Sequence, residues 1–300
     1  MDDLCLAVDI GGTKLAAGLV SRTGALIESA RVATAASAVA LAGAEELWGR
    51  LAGLVERLAD LAPPGALAVC GVGCGGPMEP GGATVSPLNI GVWRGFPLRD
   101  RLAALTGLPT AVDNDAKALA LGEHWRGAAT GQRNFVALVV STGIGGGIVL
   151  DGRLLEGRLG NAGHIGHVIV EPDGRRCSCG GRGCLEAEAS GTAIAAVTGR
   201  PPADAPTAVI ERTGMLVGRG VASVANLLDL PLAVVSGSVA LGFGAPFFAA
   251  AQAELALRAR LEFSRAATIV PGGLGPDGPL IGAGAVGWRL VDGAAPGAGS

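Results

Sequence analysis

The fold is decided by the stretch DIGGTK at Asp9–Lys14, which directly follows the apolar run LCLAV at Leu4–Val8. A second stretch of the same kind, STGIGGG at Ser141–Gly147, follows the apolar run FVALVV at Phe135–Val140. Each reads as two strands joined by a glycine-rich turn, whose backbone N–H groups can hold phosphate oxygens because no side chain obstructs them. Two such hairpins, each at the head of its own half of the chain, predict two similar domains that bind one nucleotide.

The elements around the two turns follow the same order. In the first half, the sequence predicts strands at 4–10, 15–20, about 25–34, 66–73 and 110–112, with helices at 38–61 and 97–106. The order restarts at Phe135, with strands on both sides of the second turn, a third strand around Ile165–Val170 and a further strand at Leu232–Val235. This repeat of βββαβαβ halves predicts an α/β protein of two actin-like (ribonuclease H-like) domains with a cleft between them.

The expected domain boundary follows from the same repeat. We place the first α/β domain at 1–117 and the second, which contains the cysteine-rich loop described below, at 118–278. A further helix, at about 279–291, is predicted to pack back on the first domain.

Composition and charge restrict the classes of function. Of the 300 residues, 49% are hydrophobic and 16% charged, which favours buried cores over disorder. The net charge of −3 and the lack of a Lys/Arg run disfavour nucleic-acid binding. The uncharged stretch Leu230–Ala253 is long enough to span a membrane, but its prolines and glycines indicate strand, turn and helix instead. With no basic signal-like start, the sequence predicts a cytoplasmic protein with no membrane partner.

Three cysteines and a histidine lie in one glycine-rich segment. Cys177, Cys179 and Cys184 have the spacing Cys-x-Cys-x₄-Cys, and His167 precedes them. Three thiolates and one imidazole complete a closed tetrahedral zinc site, which indicates a structural metal. A metal-free cysteine loop is the alternative, and a disulfide is disfavoured in a reducing compartment.

Five segments make the chain resemble the ROK family of sugar kinases and related repressors over nearly its full length. Two are the glycine turns, and the others are GVGCGGP at Gly71–Pro77, VDNDA at Val112–Ala116 and the stretch Gly163–Glu186, which contains GHIGH and CSCGGRGCLE. The resemblance implies an ATP- and Mg²⁺-dependent kinase that phosphorylates the 6-hydroxyl of glucose or a close relative. It also implies a homodimer or higher homo-oligomer.

The resemblance places the catalytic aspartate at Asp115 and a sugar-binding asparagine at Asn114. Transfer of a phosphoryl group to a sugar requires a carboxylate beside the accepting hydroxyl to take its proton. Taken without the family, an Asn-Asp pair after a short apolar run is more often a helix N-cap. Asp113 would point the opposite way along a strand, and we expect it to be structural.

Further sugar contacts are implied by the family pattern. The full set is Gly76, Asn89, Asn114, Asp115, His164, His167 and Glu186. His167 would bind zinc through one ring nitrogen and a sugar hydroxyl through the other. Asn89 is equally compatible with a turn.

The chain departs from the family pattern at two positions that bear on the sugar. Gly75 stands where the family usually has Pro, and His164 stands where it usually has Glu. A neutral imidazole offers one donor and one acceptor, so the hydrogen bonds available to the sugar are altered. The missing proline ring leaves room for an N-acetyl group, which favours an N-acetylmannosamine or other amino-sugar kinase as the alternative.

Nucleotide contacts are implied at both turns. The full set is Asp9, Gly11, Gly12, Thr13, Lys14, Thr142, Gly143, Gly145, Gly237 and Ser238. Asp9 would hold the Mg²⁺ shell through water, and the hydroxyl and N–H groups would bind phosphate oxygens. Lys14 is equally compatible with a surface lysine. Ser238 stands where the family usually has a longer glycine run near the adenosine.

Other functions are less well supported. Polyphosphate as the phosphoryl donor is not supported, because the sequence shows no basic segment that would line a channel for it. A sugar-responsive repressor of the same family would carry a helix-turn-helix segment ahead of the first turn, and eight residues precede Asp9. A non-catalytic sugar sensor is disfavoured by the presence of both Asp9 and Asp115. We therefore expect an enzyme.

Overall fold

The computed structural model describes residues 3–34 and 43–293, which form two compact units. The first unit contains residues up to Gly127, the short stretch Glu156–Ala162 and residues from Leu274 onward, and the second contains Ala128–Leu155 and Gly163–Gly273. This division differs from the predicted one at 117/118, because an unbroken helix, Asp115–Arg126, runs through that point.

The first unit is built on a five-stranded sheet with the strand order β3-β2-β1-β4-β5. The strands are β1 (Leu4–Ile10), β2 (Lys14–Ser21), β3 (Leu26–Ala33), β4 (Leu67–Cys74) and β5 (Thr110–Asn114). All seven residues of β1 are buried, which explains its nearly continuous apolar sequence. Because β1 is parallel to β4, and β4 to β5, the carboxyl ends of these three strands meet at one edge of the sheet, where the first turn also lies.

Four helices cover the first sheet. They are α1 (Ala44–Ala59), α2 (Leu98–Thr106), α3 (Asp115–Arg126) and, at the C-terminal end, α9 (Gly278–Asp292). The start of the helix predicted at 38–61 lies partly outside the described residues. A Cβ on Gly71 of β4 or on Gly282 of α9 would collide with the backbone of the neighbouring element. Helix α9 therefore packs on β4 and α3 at backbone distance, which fixes the helix that begins with Asp115.

The second unit repeats this topology. Its sheet has the order β10-β9-β6-β7-β8. The strands are β6 (Phe135–Val140), β7 (Ile144–Leu150), β8 (Arg153–Leu154), β9 (Leu232–Ser236) and β10 (Thr268–Pro271). As in the first unit, the first strand pairs antiparallel with the second and parallel with the fourth. The two similar α/β halves predicted from the glycine turns are thus confirmed.

Five helices belong to the second unit. They are α4 (Leu185–Ala189), α5 (Gly191–Thr198), α6 (Thr207–Leu228), α7 (Ser238–Phe243) and α8 (Ala245–Arg258). The uncharged stretch 230–253 forms β9, α7 and the start of α8, as its prolines and glycines predicted. Within the described ranges, the helices are too short or too polar for a membrane span.

The predicted strand at Ile165–Val170 is wrong. Residues Ile165–His167 form a short 3₁₀ turn, and the third strand of this sheet is β8. A Cβ on Gly146 would lie 2.6 Å from the Ile165 side chain, so this segment crosses the glycine-rich face of β7 instead of pairing at the sheet edge. Its apolar residues are buried by that crossing, and a short apolar run does not by itself distinguish the two arrangements.

Candidate active site

The first glycine turn joins β1 to β2, and Thr34, which follows β3, forms hydrogen bonds to it. Gly11 N donates to Lys14 O (3.0 Å) and closes the turn. The Thr34 hydroxyl donates to Gly11 O (2.7 Å), and Thr34 N donates to Thr13 O (3.0 Å). Thr13 and Lys14 are exposed at this turn, where their side chains are open to a ligand. Thr34 was missed because a single threonine after a strand forms no motif.

Asn89 lies against the first turn. A Cβ on Gly12 would be 3.0 Å from the Asn89 Cβ, which is closer than ordinary packing allows. The glycine at this position thus lets the loop that carries Asn89 approach the turn. The structure places this predicted sugar contact beside the predicted phosphate contacts.

Asp9 and Asp115 both lie close to Gly73. Asp9 pairs with Gly73 in the sheet, and a Cβ on Gly73 would be 3.6 Å from Asp115 Cα and 3.9 Å from Asp9 Oδ1. Burial and then the Asp115 charge raise the pKa of Asp9 to about 7, while Lys14 acts in the opposite direction. A divalent cation near Asp9 would offset both causes, so this carboxylate fits a Mg²⁺ site.

Helix α3 begins with the N-cap that the Asn-Asp pair predicted. The Asn114 side-chain oxygen accepts from Ala116 N (3.0 Å) and Lys117 N (3.4 Å). Asp115 Oδ1 also accepts from Ala116 N (2.9 Å) at the start of α3. The cap uses the Asn114 oxygen, so the amide nitrogen is the group with which Asn114 would donate to a sugar.

Lys117 is a buried cation that sequence reasoning missed. Only 1% of it is exposed, and its ammonium group lies 3.0 Å from Asp113 Oδ1 and donates to Gly160 O at 3.1 Å. It also pairs with Glu156, which accepts from Arg289 (3.0 Å). The network ties the stretch Glu156–Ala162 to α3 and α9. Asp113 is therefore engaged in an ion pair, in keeping with the structural role expected for it.

The loop that carries Gly75 and Gly76 is held by Asn161. The Asn161 amide nitrogen donates to Met78 O (3.1 Å), and its oxygen accepts from Met78 N (3.4 Å). Among the described residues, a Cβ on Gly75 would meet only the Cβ of Pro87, at an ordinary 3.6 Å. A Cβ at this position would therefore fit without a clash.

The second glycine turn joins β6 to β7 and is held by the start of α5. Ser141 N donates to Gly143 O (2.9 Å) within the turn. Gly191 N donates to Ser141 O (2.8 Å), and Thr192 donates to Thr142 O through both its backbone nitrogen (3.1 Å) and its hydroxyl (2.9 Å). Thr192, like Thr34 in the first unit, fastens a turn and was not predicted.

Glu186 reaches the second turn from α4. Its Oε2 accepts from Ile144 N at 2.9 Å. A Cβ on Gly143 would lie 2.6 Å from the same oxygen. The predicted sugar contact Glu186 and the predicted phosphate contact Gly143 are therefore neighbours, whereas Gly145 lies in β7 opposite Val139.

A cavity of about 550 Å³ lies beside the second turn, within the second unit. Thr142 and Ser238 line it, and the Ser238 hydroxyl is 3.0 Å from that of Ser141. The wall also includes Ala195, Pro202, Val239 and Phe243. A cavity of this size with a largely apolar wall suits a purine ring. Gly237 precedes α7 at φ 102°, where a Cβ would collide with the Val140 backbone, so this position admits only glycine.

The four predicted zinc ligands come together in the second unit. The ligand atoms of His167, Cys177, Cys179 and Cys184 all lie within 4.8 Å of one another. His167 Nδ1 is 3.6 Å from Cys177 Sγ, and the sulfurs of Cys179 and Cys184 are 3.7 Å apart. Zinc–sulfur bonds of about 2.3 Å put neighbouring tetrahedral ligands about 3.8 Å apart, so the cluster fits zinc. The sulfur separation is too long for a disulfide.

Glu188 anchors the metal loop to the rest of the unit. Its buried carboxylate accepts from Arg175 N (2.6 Å), from the Arg175 guanidinium (2.8 Å) and from Arg212 of α6 (2.9 Å). Because Arg175 lies next to the cysteines in sequence, this ion-pair cluster helps to position the loop independently of the metal.

His164 directly precedes the 3₁₀ turn that ends at His167. The two imidazole rings have centroids 6.0 Å apart, and His167 N donates to His164 O (3.0 Å). Since Nδ1 of His167 faces Cys177, its Nε2 is the nitrogen left for a sugar hydroxyl. The predicted sugar contacts are divided between the units, with Gly76, Asn89, Asn114 and Asp115 in the first and His164, His167 and Glu186 in the second.

Comparison with known proteins identifies relatives of the whole chain. The model of the ROK family matches residues 5–287. An N-acetylmannosamine kinase of Yersinia pseudotuberculosis is 37% identical over 256 residues, which cover 80% of this chain and 84% of that protein.

Two solved structures share both the fold and a substantial part of the sequence. A ROK family glucokinase from Streptomyces griseus, in complex with glucose and AMPPNP, has a TM-score of 0.83 and 30% identity, and the match covers 95% of this chain and 99% of that one. A ROK hexokinase from Thermus thermophilus has a TM-score of 0.81 and 33% identity, with 98% and 100% covered.

Proposed function

Since the chain belongs to the ROK family and is a sugar kinase of that family, we propose that it transfers the γ-phosphoryl group of ATP to the 6-hydroxyl of N-acetylmannosamine. The main support for N-acetylmannosamine as the substrate is the 37% identity to an N-acetylmannosamine kinase over 80% of the chain. The lack of a side chain at Gly75 is compatible with it, because an N-acetyl group needs room that a proline ring would fill.

In this proposal the first unit supplies the general base. Asp115 takes the proton of the 6-hydroxyl as that oxygen bonds to the γ-phosphorus and the bond to the β–γ bridging oxygen breaks, which releases ADP. The Asn114 amide nitrogen donates to a neighbouring sugar oxygen. The N-cap at Asn114 and the contact of α3 with α9 keep both side chains in place, which lowers the cost of ordering them for reaction.

The second unit supplies sugar contacts and holds the nucleotide. His164, Nε2 of His167 and one oxygen of Glu186 bind sugar hydroxyls. The cavity next to Thr142 and Ser238 takes the adenosine, and the second turn takes phosphate oxygens through its N–H groups. The first turn also binds phosphate oxygens, through its N–H groups, the Thr13 hydroxyl and Lys14.

Two metals complete the proposed site. Asp9 would hold Mg²⁺ through water, and this ion supplies positive charge that balances the phosphate oxygens during transfer. His167, Cys177, Cys179 and Cys184 would hold a structural zinc, which keeps the loop with His167 and Glu186 folded. Because thiolate ligands need a reducing compartment, we expect the enzyme to act in the cytoplasm. Homodimer formation stays a prediction for light scattering to test.

Glucose is the second candidate substrate. It is favoured by the likeness to the Streptomyces griseus glucokinase, whose structure contains glucose. A pocket that accepts the larger N-acetyl sugar would hold glucose with fewer contacts, so the two candidates differ in the ratio of their kcat/KM values.

The deciding experiment measures the sugar phosphate formed from N-acetylmannosamine, N-acetylglucosamine, mannose and glucose, each with ATP or with polyphosphate, and follows ADP release where ATP is the donor. We expect the highest kcat/KM with N-acetylmannosamine and ATP, and a 6-phosphate product by NMR. A preference for glucose would replace the first candidate by the second. Absence of phosphorylation with every sugar would overturn the proposed kinase activity.

A further inference from the structure

The segment Leu185–Thr192, here called the α4–α5 segment, grips the second turn from two sides. At its far end, Gly191 and Thr192 donate to the carbonyl oxygens of Ser141 and Thr142. At its near end, the Glu186 carboxylate accepts from Ile144 N at 2.9 Å. The turn that is proposed to bind phosphate is thus fastened on both flanks by one short piece of chain.

The two ends of this grip differ in kind. Gly191 and Thr192 both donate from backbone nitrogens of α5, and Thr192 adds its hydroxyl, whereas the Glu186 bond depends on a side-chain carboxylate alone. Cys184, a predicted zinc ligand, lies two residues before Glu186, so the carboxylate directly follows the metal loop in sequence. A hydrogen bond from a backbone N–H to a carboxylate is stronger than a neutral one.

Gly143 shows how closely the carboxylate approaches the turn. Its φ lies outside the left-handed region, so an alanine would be compatible with the backbone. Yet a Cβ at this position would lie 2.6 Å from Glu186 Oε2. An alanine here would therefore push the flexible Glu186 carboxylate away from the turn and from Ile144 N.

We infer that Glu186 is a positioning residue for the second turn: by holding Ile144 N it sets the affinity for the triphosphate even when no sugar is present. This inference rests on the proposed kinase function and goes beyond the sugar contact expected of Glu186. It makes one carboxylate serve both substrates, with one oxygen on the turn and the other available to the sugar.

The test measures nucleotide binding without sugar. Calorimetric titrations of the full chain with Mg²⁺–AMPPNP and, separately, with adenosine compare wild type, Glu186→Ala and Glu186→Gln. We expect Glu186→Ala to bind AMPPNP about tenfold more weakly, because a charge-assisted hydrogen bond to the turn is lost. Adenosine affinity should change far less, because the cavity proposed for it is lined by Thr142 and not by Gly143 or Ile144. Glu186→Gln keeps an oxygen acceptor for Ile144 N and should lie close to wild type.

A double-mutant cycle gives an independent readout. Gly143→Ala displaces the carboxylate by steric contact, so it should weaken AMPPNP binding in the wild-type background. Introduced into Glu186→Ala, the same substitution should have a much smaller effect, because the group that it displaces is absent.

Several outcomes would overturn the inference. Unchanged AMPPNP affinity in Glu186→Ala shows that Glu186 serves the sugar alone. Equal weakening of AMPPNP and adenosine, together with lost zinc by elemental analysis, shows collapse of the metal loop. Additive effects in the cycle show that Gly143 acts on phosphate directly. If wild type binds no AMPPNP and phosphorylates no sugar, the proposed function fails and the inference fails with it.

Discussion

Asp9, through its Oδ1, and Asp115, through its Cα, both lie beside the position that a Cβ on Gly73 would take in the first unit, and the negative charges of the two residues oppose each other. Asp9 is nearly buried, and burial followed by the Asp115 charge raises its pKa to about 7. Asp115, at the start of α3, accepts from Ala116 N through its Oδ1. The two carboxylates therefore have different environments, which suits one for a cation and the other for proton transfer.

The raised pKa of Asp9 predicts a pH-dependent stability of the ligand-free protein. An acid whose pKa is about 7 when folded and about 3.9 when unfolded favours the folded state most below about pH 4, and this contribution is lost as pH rises through 7. The loss amounts to at most about 4 kcal/mol. We expect Asp9→Asn to be more stable than wild type at pH 8, with a smaller difference at pH 5, by urea unfolding without added Mg²⁺ or nucleotide.

The matched control is the exposed Asp60, at the end of α1. Asp60→Asn should change stability equally at both pH values. If the stability difference between Asp9→Asn and wild type does not grow between pH 5 and pH 8, the carboxyl of Asp9 is not perturbed in this way.

Asp115 is predicted to be the general base. Asp115→Asn keeps an oxygen that can accept from Ala116 N, so the start of α3 and the melting temperature should change little. It cannot take the hydroxyl proton, and kcat should fall at least about 100-fold while sugar affinity is nearly retained. Steady-state kinetics and a sugar titration measure both.

Asp113 is the control for charge loss near Asp115. Asp113→Asn weakens the ion pair with buried Lys117, so it should lower the melting temperature while kcat falls far less than in Asp115→Asn. A near-normal kcat in a folded Asp115→Asn variant would contradict the assignment of Asp115 as the general base.

The metal loop is predicted to contain one zinc ion per chain. Cys179→Ser removes one of four ligands, so the metal should be lost, as measured by elemental analysis. Sugar binding should weaken as well, because His167 and Glu186 lie on this loop. Cys70→Ala, which changes a buried cysteine of the first unit, should keep its zinc. Fully active wild-type protein without bound metal would contradict the prediction.

The parts of the fold that could be predicted from the sequence are those with a local cause. The glycine turns and the strands beside them follow from a few adjacent residues, and the N-cap at Asn114 follows from one side chain. The strand predicted at Ile165–Val170 failed because its apolar residues are buried by crossing β7, which depends on tertiary packing.

Residues that act across long stretches of sequence were missed for the same reason. Lys117 contacts Glu156 only because the stretch Glu156–Ala162 belongs to the first unit. The sequence next to either residue does not predict this ion pair. Asn161 and Met78 are equally remote from each other in sequence. The zinc ligands were found because their spacing is itself a chemical signature.

His164 carries the last prediction, because it replaces the carboxylate that the family pattern leads one to expect. A carboxylate accepts hydrogen bonds through two oxygens, whereas a neutral imidazole has one acceptor and one donor. If His164 contacts the sugar, His164→Glu should change the ranking of sugars instead of lowering all rates alike. We expect kcat/KM for glucose relative to N-acetylmannosamine to rise by a few-fold to about tenfold, the effect of one altered hydrogen bond.

The control for His164 is His124, which lies on α3 in the first unit and is not among the predicted sugar contacts. His124→Gln should leave the ratio of the two kcat/KM values unchanged, as should any substitution that only reduces the amount of folded enzyme. A ratio is the proper measure, since zinc loss or partial unfolding lowers both rates together. If His164→Glu also leaves the order of glucose, mannose and N-acetylmannosamine unaltered, the imidazole does not face the sugar, and residues other than His164 determine the choice of substrate.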